Sequence, residues 1–223
     1  MFVVCFSSFC LLPPSQPDID KLTSIRDADI KLTQLGELQA LETGKYLATT
    51  KPFDVCFCSP YHRTQETAKK VLSGFEHETK MFSDNRLREK EFGRLAGMDS
   101  KTVKERFPVE FDARERDGKY WYRFPGGENY PDVEMRIQSF LEYLSSDFAG
   151  RSVVVVTHQV PYKMFRAVLQ HLNEDQVLGM EAVHNCGVQE YILDRTKSAA
   201  GRLVLKTFNH AAYNNTELRK LLG

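Results

Sequence analysis

The sequence predicts an α/β fold, a three-layer α/β/α sandwich around a mostly parallel central sheet, and three observations carry that expectation. Short apolar runs alternate with helical patterns along the whole chain. Val153-Val154-Val155-Val156 is a run of valines with no polar alternation, which suits a central parallel strand buried on both faces. A chain of 223 residues with 42% hydrophobic residues is long enough for one substantial core, so residues 26–223 are expected to form a single domain behind an atypical segment, 1–25.

The elements follow in order. Thr33-Gln34-Leu35-Gly36 opens a helical pattern through Leu38, Leu41 and Leu47, with Thr33 as N-cap because its hydroxyl accepts from an orphan amide. Lys51-Pro52-Phe53-Asp54 ends that helix, and Val55–Cys58 reads as a short buried strand. Pro60, suited to a first helical turn, starts the next helix, through Ala68, Val71 and Leu72. Residues 84–128 are rich in charge, glycine and aromatics and carry short helical pieces at best, the pattern of an active-site cover rather than a second domain. Val133, Ile137, Phe140, Leu141, Leu144 and Phe148 share one face of a long amphipathic helix, which leads through Gly150 into the valine strand. Pro161 begins the helix of Met164, Phe165, Val168 and Leu169. Val188–Leu193 and Leu203–Phe208 form a late strand pair around a Thr196–Gly201 turn, before a short helix near the C-terminus.

Lysine and arginine number 30 against 30 aspartates and glutamates, so no long-range field draws the chain to nucleic acid or to anionic membrane. Any anion binding must be local. Met1–Leu12 is apolar enough to resemble a signal h-region, yet lacks a basic flank and a small-residue cleavage site, and no apolar stretch reaches the roughly 20 residues of a spanning helix. The five irregularly spaced cysteines read as free thiols of a reducing compartment; a cytoplasmic location is expected. His77, His171, His184 and His210 sit in surface-like or terminal contexts, and no group of them has metal-ligand spacing. Cys56-Phe57-Cys58 is strand alternation. Neither metal nor cofactor is implied.

In open α/β sheets, ligands bind beyond the carboxyl ends of the strands, where helix N-termini point at the site. Arg63 and His158 each lie just past a predicted strand, at the mouth of the next helix. A phosphate between them would meet a guanidinium, an imidazole and backbone amides together. Taken alone, His158 suits a hydrogen-bonded structural histidine equally well.

Ser59-Pro60-Tyr61-His62-Arg63-Thr64-Gln65-Glu66-Thr67-Ala68 and Val154-Val155-Val156-Thr157-His158 resemble two blocks of the histidine phosphatase superfamily, the phosphoglycerate mutase-like proteins, on its broad phosphatase-like side. The resemblance runs from about Arg26 to Leu193. It takes in Arg26–Ala40, Leu87-Arg88-Glu89-Lys90-Glu91-Phe92-Gly93, Phe124-Pro125-Gly126-Gly127-Glu128-Asn129 and Asn185-Cys186-Gly187-Val188. It implies that Arg63 binds the phosphoryl group, that His158 stabilises its transfer, and that Glu89 protonates the leaving oxygen, with Glu91 as fallback. The implied ligand is a phosphorylated small molecule or phosphoprotein. The family often has glycine at or just after the position following that histidine; here Gln159-Val160 follows.

The family's nucleophile is the histidine of an N-terminal Arg-His-Gly, and that tripeptide occurs nowhere in this sequence. Met1–Ser8 can fill a first-strand slot, which sets Cys5, Phe6 and Ser7 where Arg, His and Gly belong. Phenylalanine cannot be phosphorylated, so the covalent route lacks its first step. Three side chains, His62, Cys5 and Cys10, are poor surrogates for that nucleophile. His62 precedes Arg63 in a helical turn, so the two side chains diverge by about 100°. Cys5 and Cys10 lack a loop of amides that would lower a thiol pKa. Three readings follow: a phosphomonoesterase whose first strand differs in another version of the chain, a pseudophosphatase that binds phosphorylated ligands without turnover, and a purely structural domain. Tyr120, Trp121, Tyr122, Arg123 and Phe124 either line the substrate opening or pack beneath a long loop.

Overall fold

The computed structural model describes residues 2–6, 26–50, 52–96, 98–196 and 201–222. Six strands, β1 (Phe2–Phe6), β2 (Val55–Cys58), β3 (Lys80–Ser83), β4 (Val153–Thr157), β5 (Val188–Asp194) and β6 (Arg202–His210), form one sheet in the order β3-β2-β4-β1-β5-β6. The pairs β3–β2, β2–β4 and β4–β1 are parallel, whereas β5 runs antiparallel to both β1 and β6. The helices are α1 (Gln34–Ala48), α2 (His62–Leu72), α3 (Ser100–Arg106), α4 (Pro108–Asp117), α5 (Tyr130–Asp147), α6 (Gln159–Gln170), α7 (Glu174–Leu178) and α8 (Asn215–Lys220).

Side-chain alternation divides the core into two layers. Val55 and Phe57 of β2 and Val153 and Val155 of β4 face α5 and α6, meeting Val133, Ile137, Phe140, Met164 and Phe165. Cys56, Cys58, Val154 and Val156 face the other way, against Ala40 and Leu47 of α1 and Ala68 and Val71 of α2. The valine run is therefore buried on both sides, as a central strand of a three-layer sandwich must be. Where α1 crosses α2, Gly44 lies directly against the backbone of Val71, and a Cβ there would strike its carbonyl oxygen. Caps fix the helix starts: Thr33 accepts from the amide of Gly36 at 3.1 Å, and Asn129 and Asp132 form a reciprocal capping box at α5.

One strand goes beyond the expected elements, and two helix starts need correction. β3, a parallel edge strand, carries no sequence signal, since Lys80-Met81-Phe82-Ser83 is largely exposed and shows no apolar alternation. α2 begins at His62 rather than Pro60, because Tyr61 stays extended with its amide bonded to the Ser59 hydroxyl. α6 begins at Gln159, so Pro161 falls in its first turn rather than at its start. The 84–128 excursion holds two short helices, α3 and α4, together with single turns at Asn85–Leu87 and Gly93–Leu95. None of the described helices is long and apolar enough to cross a membrane.

For the site, the decisive relationship is that β1, β2 and β4 end at one edge, with α2 and α6 beginning there. Cys58 pairs with Val156, and Phe6 with Thr157.

Candidate active site

Arg63 and His158 meet beyond the ends of β2 and β4. Both are almost fully buried, Arg63 with 5% of its surface exposed and His158 with 1%. Nη1 of Arg63 donates to the backbone oxygen of Asp27 at 2.6 Å and to its Oδ1 at 3.0 Å. Nη2 donates to Asp27 Oδ2 at 3.2 Å and faces His158 Nδ1 at 3.2 Å. A guanidinium has only donors, so Nδ1 accepts and the proton of a neutral imidazole sits on Nε2. That proton points at the Ser59 hydroxyl, 2.8 Å away. Burial first, then the charges of Arg63 and Arg136, hold the His158 pKa well below its ordinary value, so the ring is neutral. In this tautomer His158 donates to Ser59 and therefore does not take the proton of its hydroxyl. Tyr61 completes the wall, its ring edge-on to His158 at 4.9 Å and beneath the Arg63 guanidinium at 5.0 Å.

Glu89 reaches the same place from a distant part of the chain. Its Oε2 accepts from the Gln159 amide at 3.0 Å, and its Oε1 from Val160 at 3.2 Å and Lys90 at 2.8 Å. The carboxyl thus caps the start of α6, next to His158, where the helix N-terminus favours negative charge. Desolvation nonetheless outweighs the three amides and the field of Arg63, leaving its pKa above the usual carboxylate range. The strand-like segment carrying it is clamped. Thr157 donates to the Leu87 carbonyl at 2.8 Å, and Arg136 of α5 donates to the carbonyls of Arg86 at 2.6 Å and Glu89 at 3.2 Å. Glu128 binds Arg136, Arg88 and the Glu91 amide together. The two turns touch so closely at Gly93, at φ +55°, that a Cβ would overlap the Pro125 carbonyl oxygen.

A cavity of about 270 Å³ adjoins the site, lined by Lys90, Gln159 and Val160, whose amides bind Glu89, but not by Glu89, Arg63 or His158 themselves. Lys90, Arg114, Lys119 and Lys163 supply its charge, and Phe92, Phe124, Tyr130 and Val160 its apolar wall. Lys90 is packed against aromatic faces, 4.4 Å from the Phe92 centroid and 5.4 Å from Phe124. Burial, helped by Arg114 and Lys119 and opposed by Glu89 and Glu128, pushes its pKa down to about 8. The aromatic loop divides between its two readings: Phe124 lines this cavity, whereas Tyr120 packs inward on Tyr130 and donates to Glu134.

The remaining candidates lie elsewhere. Glu91, half exposed, accepts from the Tyr61 hydroxyl at 2.9 Å at the rim. His62 points outward to Glu66 at 3.4 Å, diverging from Arg63. His77 bonds the Phe53 carbonyl, His171 caps α6 in the left-handed region, and His210 stacks near Tyr46. The His184 amide donates to Asn209 Oδ1 at 2.7 Å. Cys56, Cys58 and Cys186 are buried. Of the other surrogates, the Cys5 side chain and Cys10 lie outside the described residues. Among the described residues, no three His, Cys, Asp or Glu side chains gather as a metal site.

Sequence reasoning alone does not single out Asp27, Ser59, Lys90 or the Glu128–Arg136 pair. Their only signal is position: Asp27, Ser59, Lys90 and Glu128 lie inside the quoted motif blocks. Arg136 has none, one charge among several on a long helix.

Comparison with known proteins bears on fold and family. A phosphoglycerate mutase-like protein of Arabidopsis thaliana is 33% identical over 162 residues, 62% of this chain and 56% of the relative. A second from the same plant is 36% identical over 140 residues, 58% of this chain and 42% of that one. The chain thus spans about half the length of these two curated relatives. Phosphoserine phosphatase 1 of Hydrogenobacter thermophilus is 30% identical over 163 residues, 67% of this chain and 76% of that enzyme. Among solved structures, YhfR of Bacillus stearothermophilus superposes with a TM-score of 0.73 at 20% identity, covering 96% of this chain and 100% of that one. A mycobacterial glucosyl-3-phosphoglycerate phosphatase in complex with inorganic phosphate gives 0.70 at 21% identity, covering 95% and 97%. At such identities the structures speak for the fold alone. The family description "histidine phosphatase superfamily (branch 1)" matches residues 20–206, most of the chain and all three residues that meet at the cleft, and so the chain belongs to that superfamily.

Proposed function

We propose that this chain is a phosphomonoester-binding protein of the phosphatase kind, equipped to hold a phosphoryl group and to protonate a leaving oxygen, and short of the nucleophile for covalent turnover. The observation that carries this reading is the meeting of Arg63, His158 and Glu89 at the ends of β2 and β4. Arg63 supplies charge to the phosphoryl oxygens, and His158 offers a neutral imidazole beside it. Glu89 holds its carboxyl where a raised proton affinity suits a general acid. The adjoining cationic and aromatic cavity suits an ester with an apolar body and a further anionic group.

In the superfamily's route, a histidine attacks phosphorus, the alcohol leaves with the acid's proton, and water hydrolyses the phosphohistidine as the acid turns base. Here β1 brings Phe6 alongside Thr157, one residue before His158 on the neighbouring strand. With Cys5-Phe6-Ser7 set against the family's Arg-His-Gly, that register supports a nucleophile position without an imidazole. Binding without turnover follows. The companion reading, an active phosphatase, belongs to a chain with Arg-His-Gly in that place; the retained acid favours it.

The test compares this chain with one carrying Arg-His-Gly at Cys5-Phe6-Ser7, assayed on 4-nitrophenyl phosphate and titrated with vanadate. Vanadate should bind both, Arg63→Ala should abolish that binding, and only the altered chain should turn over. Turnover by the unaltered chain at about 1 per second or faster would overturn the reading.

A further inference from the structure

Resting on that reading of the Arg63 site, we propose that Asp27 is a built-in anion that occupies the phosphoryl position, so that a phosphorylated ligand binds only by displacing its carboxylate. A guanidinium has four N–H groups on its two terminal nitrogens. In Arg63 all four are committed: two on Nη1 to the Asp27 carbonyl and Oδ1, two on Nη2 to Asp27 Oδ2 and His158. A phosphate approaching the fork must take the place of the carboxylate, whose paired oxygens present the same planar, bidentate geometry.

The two partners differ in what leaving costs them. Arg63 is 5% exposed and fixed in α2, whereas 48% of the Asp27 side chain is exposed. The carboxylate can turn into water while its backbone oxygen keeps its bond to Nη1. Asp27 sits in a single turn, Asp27–Asp29, whose flanking Arg26–Asp29 ion pair, at 2.8 Å, involves neither Arg63 nor His158. The arrangement is thus a tethered competitor: the apparent affinity for free phosphate is its intrinsic affinity scaled by the fraction of molecules whose carboxylate is away.

Inorganic phosphate and orthovanadate, titrated calorimetrically into the full chain, Asp27→Asn and Asp27→Ala, provide the test, with Arg63→Ala as control. Asp27→Asn should bind both anions about tenfold or more tightly, the factor for one charge-assisted contact, and phosphate should raise its melting temperature more than that of the native chain. If the native chain binds phosphate through Arg63 and neither Asp27 variant binds it more tightly, the competitor is refuted while the site stands. If Arg63→Ala still binds phosphate, or no form binds it, both fall. Should the variants not fold, the carboxyl carbon resonance of Asp27 in the native chain decides: it should shift on saturation with phosphate, and an unmoved signal overturns the proposal.

Discussion

Nη2 of Arg63 stands 3.2 Å from Nδ1 of His158, so a permanent cation sets the tautomer of an imidazole that burial first, and then that same charge, hold neutral. The pH dependence of stability follows from that contact. With its folded-state pKa well below the ordinary value near 6.5, His158 binds a proton more readily in the unfolded chain. Its contribution is therefore complete above about pH 6.5 and is lost as pH falls, at up to about 1.4 kcal/mol per pH unit. Urea denaturation at pH 7, 6 and 5 should show a steeper fall for the native chain than for His158→Gln. Equal slopes would mean that the ring is not held neutral.

Glu89 gives a chemical prediction. In a chain with Arg-His-Gly restored, Glu89→Gln should slow alkyl phosphates by about 100-fold or more, the usual range for a lost proton donor. 4-Nitrophenyl phosphate, whose leaving group needs little protonation, should suffer far less. Equal losses on both esters would remove Glu89 from the role of acid.

Lys90 ties ligand choice to pH. Its ammonium gives up a proton near pH 8, so the adjoining cavity loses a positive charge as pH rises through that value. 4-Carboxyphenyl phosphate should lose its binding advantage over phenyl phosphate between pH 7 and 9, and Lys90→Met should abolish both the advantage and its pH dependence. An advantage that survives in Lys90→Met would assign the second anion to Arg114, Lys119 or Lys163 instead.

Phe57 anchors the sheet to α5. Its ring meets Phe140 edge-on at 5.4 Å and Phe148 at 5.1 Å, with only 2% of its surface exposed. Phe57→Ala should cost about 3–5 kcal/mol, the transfer term plus the cavity left behind. Chemical denaturation measures it; a loss below about 1 kcal/mol would mean that the α5 layer collapses into the space.

What could be read from the sequence, and what could not, divides along physical lines. The valine run announced itself because burial on both faces leaves no polar position in a strand. Of Leu38, Leu41 and Leu47, read for α1, only Leu47 is buried, the inner face being filled by Leu35, Ala40, Thr43 and Gly44 while Leu38 and Leu41 stay partly exposed. β3 did not announce itself, since an edge strand with one partner needs no such pattern. Arg63, His158 and Glu89 were legible from motif blocks, and the structure brings them together. Their supports were not. Arg136 acts through two carbonyls and a carboxylate more than forty residues from one end of its reach, and Asp27 acts on a guanidinium 36 residues away. Such long-range partnerships leave no local trace in composition or spacing.

β1 pairs through backbone atoms with β4 over Phe2–Phe6 and with β5 over Phe2–Cys5. The amides and carbonyls of that ladder need no catalytic side chain, so Phe-Val-Val-Cys-Phe completes the centre of the sheet with no imidazole in it. Solubility and melting temperature therefore report on pairing and packing in this sheet and not on ester turnover, which only an assay of phosphate release reads.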